Sequence, residues 1–112
     1  ARIFSDPSRV SDTRIRTIQD MMRRRGNGQA FVDSINEFTL PDPVADLHRV
    51  TAPTLILWGE DDVVIPVEQS ARVAAEIMGA RVVRYAGVGH VAQEEIPEET
   101  AAEVKAFLAA GS

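Results

Sequence analysis

The pattern of apolar and polar positions changes character at about residue 44. Ahead of that point, apolar residues recur at helical spacing. Ser11 and Asp12 offer an N-cap, and Ile15, Ile18 and Met22 follow on one face until Gly26, Asn27 and Gly28 interrupt the series. Phe31, Ile35 and Phe38 then predict a second short helix with an apolar face. Neither helix is long enough to hold its shape alone, so both must pack on something else. The stretch "LPDPVADLHRVTAP" joins this helical segment, residues 1–43, to a second segment, residues 44–112, of different pattern.

In the second segment strand and helix alternate. "TLILW" (54–58) is a continuous apolar run between Pro53 and Gly59, which predicts a strand buried on both faces, as in a parallel sheet. A helical pattern follows Pro66 through Val67, Val73, Ala74 and Ile77 and is closed by Gly79. "RVVRY" (81–85) is the next predicted strand. Pro97, backed by Glu98 and Glu99, opens a last helix expected to bury Val104, Phe107 and Leu108. Strand, helix and strand in this order form a βαβ unit, whose strands lie parallel in one sheet.

Composition narrows the class. At 112 residues the chain has the length of one ordinary domain, and with 45% hydrophobic and 26% charged positions it reads as soluble and globular. Cysteine is absent, which excludes disulfides, thiol nucleophiles and Cys-based metal sites and fits a reducing, cytoplasmic setting. No apolar run approaches the roughly 20 residues of a membrane helix, and the first residues lack the layout of a signal peptide. With no initiator Met, residue 1 is expected not to be a natural beginning. A net charge of −5 gives no sequence-wide attraction to nucleic acid or anionic lipid. Arg23, Arg24 and Arg25 form one basic cluster, read as the solvated C-terminal end of a helix. All but one of the 12 basic residues are Arg, the usage of a GC-rich bacterial genome.

Parallel strands have a chemical consequence. The loops that leave them, "GEDDVVIP" and "AGVGH", emerge at one carboxyl edge of the sheet, where open α/β sheets bind ligands. Topology therefore brings an acid, Asp61 or Asp62, towards His90. A carboxylate bonded to an imidazole fixes its tautomer and stabilises the imidazolium formed when it takes a proton. Gly87 and Gly89 permit unusual backbone angles and leave room beside His90. His48, in "DLHRV" ahead of the first strand, is read as structural or solvated, at the opposite sheet edge.

These residues resemble a known family. "APTLILWGEDDVVIP", then "GVGHVAQEEIPEE" and a terminal helix, is similar to the C-terminal part of the α/β-hydrolase fold. The style is that of single-domain esterases, epoxide hydrolases, haloalkane dehalogenases and C–C bond hydrolases. The likeness covers residues 44–110 well, and residues 1–43 more loosely resemble the end of that family's helical cap. In the family the catalytic acid stands three residues after the strand-ending glycine, with a proline four residues later; here these positions hold Asp62 and Pro66. The family's histidine ends a GxGH turn, here Gly87 to His90, and its trailing ExP is matched by Glu95 and Pro97.

The departure is upstream. The family's nucleophile sits in a G-x-S-x-G turn between strand and helix, and Ser5, Ser8, Ser11, Ser34, Ser70 and Ser112 all lack the flanking glycines. The oxyanion-hole loop and the middle strands of the sheet are missing too. The resemblance therefore implies a partial α/β-hydrolase fold: a parallel βαβ unit with a C-terminal helix, preceded by cap-like helices. It supplies the catalytic acid Asp62 and the histidine His90 for hydrolysis of an ester, C–C, epoxide or carbon–halogen bond in a small-molecule substrate. No metal or organic cofactor is implied. Alone, the chain is expected to be inactive and to need a partner, either the missing N-terminal portion or a second copy. The alternative is a catalytically inactive, partner-dependent binding module of the same fold.

Overall fold

In a computed structural model, which describes residues 3–38 and 44–111, the first long helix starts where its cap residue places it. The Ser11 hydroxyl oxygen accepts the Arg14 N–H at 3.2 Å, and α1 runs Asp12–Arg23. A single 3-10 turn, Pro7–Arg9, precedes it. Arg23 to Arg25 are exposed at the end of α1, where cations suit the dipole. The interruption, residues 24–26, comes two residues earlier than the sequence suggests. Arg24, at φ −61° and ψ 138°, is extended and Gly26, at φ 89°, is left-handed, while Asn27 and Gly28 already belong to α2, Asn27–Asn36. The Asn27 amide donates to the Met21 carbonyl at 2.8 Å, satisfying an end group of α1. The two helices pack on each other. Phe31, Ile35 and Phe38 are nevertheless 55%, 59% and 71% exposed.

The expected junction at residue 43 falls outside the described residues; α3, Val44–Leu47, follows it. Strand β1 is Leu55–Gly59, one residue later than the apolar run, because Gly59 itself pairs in the ladder. Helix α4, Glu68–Glu76, leads to β2, Arg81–Tyr85. The strands are parallel, with Leu55 opposite Arg81 and Gly59 opposite Tyr85. The fully buried Ser70 ties α4 to β2: its hydroxyl donates to the Val67 carbonyl at 2.6 Å and accepts the Arg84 Nε–H at 3.1 Å.

Two expectations about burial fail. Leu55 to Trp58 are half-buried rather than buried, because among the described residues β1 has one neighbouring strand only. In the last helix, α6 (Pro97–Ala109), Val104 and Leu108 are 39% and 67% exposed and Phe107 is half-buried. Thr100 is the residue that α6 buries, its hydroxyl bonded to the Ile96 carbonyl at 3.0 Å. A short helix that the periodicity does not reveal, α5 (Ala92–Glu95), lies between the histidine and Pro97. No helix of the described residues is long and apolar enough to cross a membrane.

Candidate active site

The parallel ladder does not stop where the strands do. The Glu60 N–H donates to the Tyr85 carbonyl and the Asp61 N–H to the Val88 carbonyl, both at 2.9 Å. These bonds hold the two loops side by side as they leave the sheet. Gly87, at φ 69°, turns the second loop, and Val88 and Gly89 pass beneath the surface before His90 emerges.

Asp62 and His90, 28 positions apart, meet there: Asp62 Oδ2 lies 2.8 Å from His90 Nδ1. The other carboxylate oxygen, Oδ1, accepts N–H groups from Val64 at 2.8 Å and Ile65 at 2.9 Å. The loop thus wraps back on its own acid and fixes its orientation. Burial pushes the Asp62 carboxyl up. The His90 hydrogen bond and the two backbone donors outweigh that effect and hold it below its ordinary value. The Asp62 side chain is 5% exposed and the imidazole 34%, so the acid is enclosed and the ring is reachable. With Nδ1 engaged, Nε2 is the nitrogen free to exchange a proton with a reactant.

The neighbouring acids are committed elsewhere. Asp61 accepts the Ser5 hydroxyl at 2.6 Å. Glu94 forms a forked pair with Arg14, Nε to Oε2 at 2.8 Å and Nη2 to Oε1 at 2.6 Å. That pairing lowers the Glu94 carboxyl and raises the Arg14 guanidinium. Of the two candidates left open by the loop sequence, Asp62 is therefore the one bonded to the histidine.

A hollow of about 160 Å³ opens beside the pair, lined by Leu57, Trp58, Gly59, Asp62, Ile65, His90, Ala92 and Gln93. The Trp58 indole N–H donates to the Ile65 carbonyl at 3.2 Å and so fixes one wall. Each described serine hydroxyl has a partner other than His90. Ser5 bonds Asp61, Ser8 bonds Asp6, Ser11 caps α1, Ser34 bonds the Phe31 carbonyl and Ser70 the Val67 carbonyl. Ser112 lies outside the described residues. His48 is exposed in the turn after α3, ahead of the N-terminal end of β1. Among the described residues, no group of three or more His, Asp or Glu side chains could hold a metal ion.

One further group stands out that the sequence shows only as part of a motif. Glu95 is 2% exposed, and its carboxylate takes three backbone N–H groups, from Ser5 at 3.1 Å, Asp6 at 2.7 Å and Gly89 at 2.9 Å. No local signal separates it from its half-buried neighbour Glu94, because the donors from residues 5 and 6 arrive from 90 and 89 positions away.

Comparison with known proteins fits this geometry. The sequence model described as "Alpha/beta hydrolase family" matches residues 2–103. The chain is 35% identical over 94 residues to a 2-hydroxy-6-oxononadienedioate/2-hydroxy-6-oxononatrienedioate hydrolase of Klebsiella pneumoniae, covering 82% of this chain and 33% of that protein. It is 30% identical over 109 residues to the hydrolase of the same name from Paraburkholderia xenovorans, covering 96% and 38%. The chain thus spans about a third of the length of these curated relatives. Among solved structures, a serine hydrolase involved in carbazole degradation superposes with a TM-score of 0.78 at 26% identity, over 89% of this chain and 40% of that one.

Proposed function

The chain belongs to the alpha/beta hydrolase family, and on that premise we propose that Asp62 and His90 are the acid and the base of a hydrolase's catalytic triad. Residues 44–112 are then the C-terminal part of the catalytic core, and residues 1–43 the end of a cap over the site. The observation that carries the reading is the 2.8 Å bond between Asp62 Oδ2 and His90 Nδ1 at the shared edge of two parallel strands.

The pair works as follows. Asp62 holds the ring with its proton on Nδ1, so that Nε2 presents a lone pair. Nε2 takes the proton of a nucleophilic hydroxyl, or of a water, as the new bond to the substrate carbon forms. The imidazolium so created faces an enclosed carboxylate, which stabilises it, and then returns the proton to the leaving group. The nucleophile comes from a segment other than the described serines, since each of these is engaged elsewhere.

The substrate is a small molecule. Of the four bond types the family resemblance allows, hydrolysis of a C–C bond in a 2-hydroxy-6-oxo dienoic acid is the best supported. That support comes from the two relatives at 35% and 30% identity, hydrolases of such diacids by name. The test is made in the complete enzyme, with 2-hydroxy-6-oxononatrienedioate as substrate. His90→Ala is expected to lower kcat by about 10³-fold or more, as loss of one triad member does. Turnover within tenfold of the wild type would overturn the assignment.

A further inference from the structure

We propose that Glu95 is a positioning residue for His90, an inference that rests on the catalytic reading above. The ring of His90 is held at Nδ1 by Asp62, but where the ring sits also depends on the backbone from which it hangs. That backbone is anchored at two consecutive amides. The Gly89 N–H donates to Glu95 Oε2 at 2.9 Å, and the His90 N–H donates to the Ile3 carbonyl at 2.8 Å. The segment just after Ile3 is held by the same carboxylate, which takes the Ser5 N–H on Oε2 at 3.1 Å and the Asp6 N–H on Oε1 at 2.7 Å. One side chain therefore clamps both segments whose contact sets the height of His90.

The clamp needs close approach and two acceptor oxygens. Gly89 supplies the approach: a Cβ there would lie 2.6 Å from the Ile3 carbonyl oxygen and 2.7 Å from the Ser5 nitrogen. Three N–H groups converge on Glu95, all of them donors, so an amide in its place would turn its own NH₂ towards at least one of them. At 2% exposure no solvent stands by to take over the lost bond. A displacement of the base by about 1 Å is enough to cost on the order of 10²-fold in rate.

The experiment compares Glu95→Gln, Glu95→Asp and His90→Ala in the complete enzyme, with p-nitrophenyl acetate as the probe substrate and the His90 Nδ1–H proton resonance as the spectroscopic readout. For Glu95→Gln, kcat per folded protein is expected to fall at least tenfold, KM to stay within twofold, and the Nδ1–H resonance to move. A kcat within twofold of wild type, an unmoved resonance, or failure of both Glu95 variants to fold makes Glu95 a residue of the fold and overturns the proposal. Full activity in His90→Ala overturns instead the catalytic reading on which it stands.

Discussion

Gly59 and Gly89 meet backbone to backbone. A Cβ built on Gly59 would lie 2.2 Å from the Gly89 carbonyl oxygen and 2.3 Å from that of Val88. The residue that ends the first strand and the residue that precedes the histidine thus lock the two loops at a distance no side chain would permit. Asp62 and His90 inherit their separation from that contact.

Gly59→Ala is therefore expected to destabilise the protein by about 3 kcal/mol, since the atoms in the way are backbone and cannot swing aside. Gly28→Ala is the control. Gly28 sits within α2 at an ordinary φ with nothing within 4 Å of a built Cβ. Its replacement should stabilise by up to about 1 kcal/mol. Urea midpoints of the two variants should move in opposite directions.

The bonds to Asp62 predict a pH dependence of stability. Its folded-state carboxyl is held below the ordinary value, so the native state binds fewer protons than the unfolded chain as pH falls through the carboxylate range. The stabilisation is then fully present above the unfolded value, near pH 4, and is lost as pH drops through the folded value. Asp62→Asn should be less stable than wild type by about 1–3 kcal/mol at pH 6. The gap should begin to close as pH falls below about 4 and should vanish as pH drops through the lowered folded-state value, where Asp62 itself becomes neutral. Denaturant titrations at stepped pH measure it.

The 112-residue chain by itself should hydrolyse p-nitrophenyl esters no faster than free imidazole does. Its serine hydroxyls at 5, 8, 34 and 70 are bonded away from the imidazole. Labelling of any serine in this chain by a fluorophosphonate probe would contradict the expectation.

Exposure predicts association. Leu55, Ile56, Leu57, Val82 and Val83 are all only half-buried, and Phe31, Ile35 and Phe38 are open. Each such side chain forgoes part of the roughly 1.5–3 kcal/mol that full burial supplies. Two parallel strands are also marginal without further cover. Analytical ultracentrifugation of the isolated chain should show self-association or an expanded, non-cooperative state. A compact monomer with a cooperative melt would show the half-buried sheet to be sufficient.

What could be read from the sequence was what local pattern decides. "RVVRY" forms β2 without a shift, and Ser11 and Pro97 start their helices where cap and ring chemistry put them. The meeting of Asp62 with His90 follows from strand parallelism. Choosing Asp62 over the adjacent Asp61 needed the family's spacing, because composition alone does not distinguish two consecutive acids. Other features lay beyond local pattern. Four-residue α5 is too short to show a period. The exposure of Val104 and Leu108 depends on what packs beside α6, not on α6's own apolar positions. The clamp at Glu95 joins residues 89 and 90 positions apart, and no window along the chain contains both partners.

That last separation bears on the order in which the molecule is assembled. A helix or a strand pair with its crossover can form once a short stretch of chain exists, whereas the Ser5 and Asp6 bonds to Glu95 close loops of 90 and 89 positions. Contacts of such sequence span are the slow ones to form. During synthesis, His90 emerges before its backbone can be seated, because the seat is completed only after residue 95 has emerged and residues 5 and 6 have found it. The seating of His90 is accordingly a late event in this fold, reached after its secondary structure is in place.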